Sequence, residues 1–244
     1  MFAVLMIFLL LFFALSVPIA VSMGLSSAIA LWWDGGTPII VLIQRLFTSI
    51  DSFPLMAIPF FILAGTLMEY GGISKRLIAL ANALTGHLPG GLGIVTIVTA
   101  MFFSAISGSS AATTAALGAL LIPAMIKRGY HPNFAGATQA VAGELGIIIP
   151  PSIPMVLYGV TVSVSIGDMF MSGIVPGILI GFSLILTVYI IAKRRDYKPE
   201  PRKSLREMLI ALKDAFWALL MPVIILGGIY GGYFTPTEAA GIAV

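Results

Sequence analysis

Cysteine is absent from all 244 residues, which excludes disulfides, iron–sulfur centres and thiolate chemistry. Charge is scarce: Asp, Glu, Lys and Arg make up 9% of the chain, against about 25% in soluble domains. The two histidines, His87 and His131, lie far apart with no companion at ligand spacing, so no metal enzyme is suggested. No nucleophile–base pair is visible, and the chain is not read as an enzyme. Apolar residues fill the space these leave, at 59% of the total and a mean hydropathy of +1.08. The composition implies an all-α, polytopic membrane protein with one membrane domain and room for roughly six or seven crossings at about 20 residues each. Met1 to Leu15 lack the positive start of a secretory signal and are read as a retained membrane segment.

A pI near 9.3 would suggest nucleic acid as a partner of a soluble protein. Here the basic residues are sorted along the chain, and a lipid bilayer, not nucleic acid, is the expected partner. Eight of the 13 Lys and Arg residues fall between Lys193 and Lys213, the one long polar segment, which the positive-inside rule places in the cytoplasm. Lys75-Arg76 and Lys127-Arg128 flank the region from Leu92 to Ile126. If both pairs are cytoplasmic, that region enters and leaves on one side, as a re-entrant hairpin or as two tilted full spans. Leu92 to Ile106 would rise roughly 22 Å as a helix and Thr114 to Ile126 about 20 Å, against a hydrocarbon core near 30 Å, which favours the hairpin.

Its tip would be Ser107-Gly108-Ser109-Ser110-Ala111-Ala112-Thr113-Thr114. Irregular backbone at membrane depth is tolerated where it lines a polar cavity or binds an ion or solute, so the tip points to transport. A second interruption follows: Phe134 to Leu145 reads as a half-helix, Gly146 to Pro154 as a break holding three prolines, and Met155 to about Val164 as resumed helix. Met169 to Ala192 then returns to the basic segment. Leu205 to Leu212 reads as an amphipathic surface helix ahead of a crossing from Trp217 to Tyr233. Met1 to Leu31, interrupted by Pro18, fits one kinked span or two short ones, and Trp32 and Trp33 suit an aromatic belt.

The tip and the break are expected to meet near the bilayer midplane. Thr113 and Thr114 would open the second hairpin arm, where free N–H groups favour a carboxylate. Ser104, Ser107 and Ser109 would close the first arm, where carbonyls are free, and the carbonyls of Gly146, Ile149 and Pro150 would be orphaned by the prolines. Hydroxyls and carbonyls without fixed charge suit sodium, while helix packing is the competing explanation for the small residues. Glu144 is an acidic residue deep in apolar sequence, either functional or hydrogen-bonded to neighbouring backbone or Gln139. Glu69, Asp51 and Arg45 are assigned to the membrane edges.

Several motifs in order carry a family resemblance: Val17-Pro18-Ile19-Ala20, Asp51-Ser52-Phe53-Pro54-Leu55, Ile58-Pro59-Phe60-Phe61, Gly71-Gly72-Ile73, Gly86-His87, the serine-rich tip, Ile149-Pro150-Pro151-Ser152-Ile153, and Phe234-Thr235-Pro236-Thr237-Glu238-Ala239-Ala240. Across its length the chain resembles the N-terminal part of the large membrane subunit of tripartite ATP-independent periplasmic (TRAP) transporters, the DctM family. The resemblance implies a Na⁺-coupled importer of small organic acids, such as C4-dicarboxylates or sialic-acid-like compounds, in the bacterial inner membrane. Its partners would be a DctQ-like small membrane subunit and a periplasmic substrate-binding protein. It implies an elevator mechanism built on two inverted repeats, of which this sequence holds the first. Residues 1–86 would be scaffold-type helices. Residues 87–168 would be the transport-type region, with the hairpin at about 92–126 and the broken helix at about 133–165. Residues 169–244 would hold the return helix, the basic segment 193–207 and a following helix. The first sodium site would comprise Ser104, Ser107, Gly146, Ile149 and Pro150. Substrate would meet Ser109, Ser110 and Thr113 at the tip, with Pro151 and Ser152 beside it. Two other readings stay open: a structural membrane subunit or fragment that carries no solute, and an organic-anion/Na⁺ symporter without a binding protein.

Overall fold

A computed structural model describes residues 1–244, and every regular element in it is helical. Two compact units divide at Ser52 and Phe53. In the first, α1 (Phe2–Ala14) and α2 (Ile19–Asp34) are separate short helices packed on each other. Pro18 stands before α2 and Ser16 takes a left-handed φ of 58°, so the chain turns between them. Each is too short to span about 30 Å alone. Trp32 and Trp33 are exposed at the end of α2, and α3 (Ile40–Ile50) follows.

The second unit opens with a 3₁₀ turn, Phe53–Met56, running into α4 (Ala57–Tyr70). Then come α5 (Ile73–Thr85), α6 (Gly91–Ser107), α7 (Ser110–Lys127), α8 (Pro132–Gly143), α9 (Leu145–Ile148), α10 (Ile153–Val162), α11 (Ile166–Arg194), α12 (Leu205–Tyr230) and α13 (Pro236–Ile242). The centre of this unit is α6, in which 13 of 17 residues are buried against α4, α5, α7, α8, α9, α11 and α12. A helix apolar on every side belongs inside protein, and this one needs no lipid contact. By contrast only 17% of the most apolar stretch of α11, and of α12, is buried, so their Leu, Ile, Val and Phe faces call for hydrocarbon.

Four segments are long and apolar enough to cross a membrane, namely 53–70, α7, α11 and α12, or five if the pair α8–α9 and α10, bent by 41°, counts as one span. That is fewer than six or seven, because α1, α2, α3 and α6 are apolar but short. The separate amphipathic helix over Leu205 to Leu212 is not found. Lys213-Asp214-Ala215-Phe216 contains no breaker, so one helix continues to Tyr230, started by a capping box in which Ser204 and Glu207 exchange hydrogen bonds.

At the base of the hairpin, the extended segment after α11 ties several helix ends together. Glu200 Oε1 pairs with Arg128 Nη2 at 2.8 Å, its Oε2 accepts from Asn82 Nδ2 at 2.9 Å, and its N–H donates to the Gly86 carbonyl at 3.0 Å. Tyr197 stacks on Tyr130 with ring centroids 4.2 Å apart, and its hydroxyl accepts the His131 N–H. Of the two basic pairs flanking the hairpin sequence, Lys127-Arg128 meets this segment. Lys75-Arg76 instead sits in the first turn of α5, whose last turn carries Asn82.

Candidate functional site

The polar run at the tip is mostly helix. Gly108 ends α6 in the left-handed region at φ 62°, and Ser109, extended at φ −135°, caps α7 by accepting the Ala112 N–H at 3.3 Å. Only Gly108 and Ser109 lie outside helix, and Ser110 to Thr114 form the first turn of α7. The arms therefore hold 17 and 18 residues, about 26 and 27 Å, longer than their apolar cores implied. The cause is that a serine cap starts a helix that Ala, Ser and Thr then continue.

This start moves the free donors. The Thr113 N–H goes to the Ser109 carbonyl at 3.0 Å, so the N–H groups of Ser110 and Ala111, not those of Thr113 and Thr114, have no acceptor at this end. Of the three carbonyls expected to be free at the end of the first arm, those of Ser104 and Ser109 are taken and that of Ser107 has no donor. Ser104 O accepts from Gly108 N at 3.1 Å, and Ser109 O accepts from both the N–H and the hydroxyl of Thr113. What Ser104 offers is its hydroxyl, which is fully buried without a partner. Ser107, also buried, has its hydroxyl 2.9 Å from that of Thr113.

The break is narrower than its sequence suggested. Leu145 to Ile148 form one more helical turn, α9, so Gly146 lies inside helix and the irregular stretch is Ile149 to Ser152, with a cis peptide between Pro150 and Pro151. The three expected carbonyls nonetheless have no donor. Gly146 faces the position of Pro150 and Pro150 that of Pro154, neither of which has an N–H. Ile149 would need the N–H of Ile153, which is donated instead to the Gly108 carbonyl at 3.0 Å. The Ile147 carbonyl, deprived by Pro151, is rescued by the Ser152 hydroxyl at 2.7 Å.

That Ile153–Gly108 bond joins the break to the tip, and two glycines let them close. A Cβ on Gly108 would lie 2.8 Å from the Pro151 carbonyl oxygen, and one on Gly146 would lie 2.7 Å from Ser109 O and 2.9 Å from Ser110 N. The structure thus gathers Ser107, Gly108, Ser109, Ser110, Gly146, Pro151 and Ile153 into one place. Beside that group the hydroxyls of Thr113 and Ser152 are buried and committed to carbonyls, whereas Ser109 and Ser110 within it are partly open.

Glu144 does not bond to Gln139. It is exposed, while Gln139 is buried and directs Nε2 to the carbonyls of Thr113 and Thr114 at 3.4 Å. Five residues apart on a helix, the two side chains diverge by about 140°. Gln139 went unnoticed as a hairpin contact in its own right, although an amide in the middle of an otherwise small and apolar helix was the available signal. Thr66 and Glu69 of α4 were missed too. A cavity of about 190 Å³ gathers them with Ile62, Gly65, Phe103, Ser107, Ser109, Ala112 and Ile153, beside the tip. Their signal was the single carboxylate in α4, four residues after a glycine.

With this geometry in place, comparison with known proteins is specific. The family described as "Tripartite ATP-independent periplasmic transporter, DctM component" matches residues 5–244. The "Isethionate TRAP transporter permease protein DctMQ" of Oleidesulfovibrio alaskensis is 53% identical over 96% of this chain and 37% of its own length. The "C4-dicarboxylate TRAP transporter large permease protein DctM" of Vibrio cholerae is 49% identical over 93% of this chain and 50% of its own. The "Sialic acid TRAP transporter large permease protein SiaM" of the same organism is 45% identical over 82% and 47%. The chain spans about half the length, or less, of these relatives.

Proposed function

The chain belongs to the DctM component family of tripartite ATP-independent periplasmic transporters, and from that premise we propose that it works as part of the large permease subunit of a Na⁺-coupled importer of small organic anions. Its setting is the bacterial inner membrane. Its partners are a DctQ-like small subunit, as the fused name of one relative suggests, and a periplasmic binding protein that delivers the anion. Dicarboxylates, sialic acids and isethionate, named for its relatives, are the candidate cargo classes.

One observation carries the site reading: the hairpin tip is bonded to the break through Ile153 N–H and Gly108 O, beside three carbonyls with no donor. Such carbonyls, with the buried hydroxyls of Ser104 and Ser107, are the oxygens a dehydrated monovalent cation needs. The free N–H groups of Ser110 and Ala111 at the start of α7 and the hydroxyls of Ser109 and Ser110 suit a carboxylate or sulfonate, with Thr113, Pro151 and Ser152 shaping the wall behind them. In the elevator reading, the hairpin-bearing body moves against a scaffold, and a second inverted repeat supplies the other half of the site.

The test is uptake of a labelled organic acid into vesicles holding the permease, the small subunit and the binding protein. Uptake requires sodium and falls in Ser107→Ala, which removes a hydroxyl, and in Pro150→Ala, which returns an N–H to the Gly146 carbonyl. Unchanged uptake in both variants rejects the site. Uptake that persists without the binding protein rejects the tripartite reading.

A further inference from the structure

Glu69 and the hairpin tip form opposite walls of the cavity of about 190 Å³ described above. Gly65 sets how close the walls come, since a Cβ there would lie 3.3 Å from Ser107 Cα. Glu69 stands one helical turn further along the same face of α4. With Thr66 it supplies the polar groups of the α4 wall, while Ser107 and Ser109 supply those of the tip wall, and no Lys or Arg lines the space.

The two walls differ in what they can exchange. Ser109 Oγ accepts the Ala112 N–H, and its own O–H is donated to nothing in the chain. Thr66 has already given its O–H to the Ile62 carbonyl at 2.7 Å, so toward the cavity it only accepts. The Glu69 carboxylate is in neither of the two ion pairs of this chain and in none of its side-chain hydrogen bonds, and an ionised carboxylate accepts without donating. The tip wall donates and the α4 wall accepts. A small anion with a second negative group would meet a like charge at Glu69, whereas one with a hydroxyl or amino group would meet an acceptor there.

We propose that Glu69 is a selectivity-determining residue of this cavity, accepting a hydrogen bond from a hydroxyl or amino group of a small organic anion whose charged end rests at the Ser109 tip. The inference rests on the anion-import reading for the ligand's charged end and adds a requirement for its other end.

Calorimetric binding to the full chain in nanodiscs, with monoanionic probes that differ by one hydroxyl, tests it: isethionate against ethanesulfonate, and lactate against propionate. In the wild type the hydroxylated member of each pair binds more tightly by roughly ten- to hundredfold, the size of one hydrogen bond to a charged group. Glu69→Leu erases that preference by weakening the hydroxylated member alone. Glu69→Gln keeps part of it through its amide oxygen, and sodium affinity is the same in all three proteins. Equal binding of paired probes by the wild type, equal loss of both in Glu69→Leu, no binding of any probe, or a change in sodium affinity alone each overturns the proposal. Preferential binding without sodium-driven uptake would sink the import reading and leave this site standing. Sodium-driven uptake without hydroxyl preference would do the reverse.

Discussion

The hydroxyls of Ser107 and Thr113 lie 2.9 Å apart, joining the last residue of α6 to the first turn of α7 across the tip. Thr113 has one hydroxyl hydrogen, and the Ser109 carbonyl 2.9 Å away is the acceptor for it. Ser107 is therefore the donor of the pair, and its lone pairs remain for another ligand. Thr113→Val should be the costlier change, by roughly 1–3 kcal/mol, because it strips Ser107 of its acceptor and Ser109 of a donor in a fully buried place. Ser107→Ala leaves the Thr113–Ser109 bond intact and should cost about 1 kcal/mol. Thermal unfolding in detergent ranks the two, and the reverse order would mean that the proton runs the other way.

The docking of tip on break predicts a contrast between two glycines of neighbouring helices. Gly146→Ala puts a methyl 2.7 Å from Ser109 O and 2.9 Å from Ser110 N, and both are backbone atoms that cannot rotate away. Overpacking of that kind costs roughly 1–3 kcal/mol and would separate the hairpin from α9. Gly136, on α8, has nothing within 4 Å of its would-be Cβ. Gly136→Ala should be neutral or stabilising by up to about 1 kcal/mol, through helix propensity alone. Equal melting temperatures for the two variants would argue that tip and break are not in contact.

Which parts of this were legible in the sequence follows from what each feature depends on. The broken helix was visible because proline acts locally: Pro150, Pro151 and Pro154 remove donors whatever surrounds them. The meeting of tip and break was visible because two polar interruptions in apolar chain need each other. Less legible was the start of α7, since a serine such as Ser109 reads equally well as loop or cap until its φ is known. The continuity of α12 was hidden by the charged pair Lys213-Asp214, which marks a change of environment and not of backbone. The nearness of Glu69 to the tip was hidden for a different reason. Its neighbours in the cavity come from α6, α7 and the start of α10, contacts that no helical period in α4 can reveal.

The Glu200 clamp is a long-range feature of the same kind, and its strength can be bounded. Its side chain is 11% exposed and that of Arg128 54%, so solvent screens the pair from one side. A double-mutant cycle of Glu200→Ala and Arg128→Ala should give a coupling no larger than about 1 kcal/mol. Glu200→Ala alone should cost more than Arg128→Ala, because it also releases Asn82 Nδ2. Hydrogen exchange should then rise together at the last turn of α5 and the end of α7. A rise at only one of them would show that the clamp does not couple the two helices.

Tyr130 and Tyr197 stack on one another yet should titrate apart. Burial pushes the Tyr130 phenol above its ordinary value of 10.0, with the nearby Tyr197 adding to the rise, while the backbone of Gly93 and Leu92 and the charge of Arg128 only partly offset it. For Tyr197 burial acts upward too, but the His131 N–H donated to its oxygen and the Arg195 guanidinium outweigh it and hold the phenol below 10.0. Ultraviolet absorbance in alkali, taken as wild type minus Tyr130→Phe and as wild type minus Tyr197→Phe to cancel the other five of the seven tyrosines, should give phenolate steps on opposite sides of the unfolded value, and Arg195→Gln should move the lower one up. The signs carry over to stability. Tyr130, raised by folding, contributes stability that is complete below the unfolded pKa near 10 and is lost as pH rises through its folded value. Tyr197, lowered by folding, contributes stability present above the unfolded pKa and lost as pH falls through its folded value. Tyr130→Phe should therefore flatten the alkaline loss of stability, and Tyr197→Phe should steepen it. If both variants shift the alkaline limb in the same direction, the two rings do not sit in the opposed environments that the stack gives them.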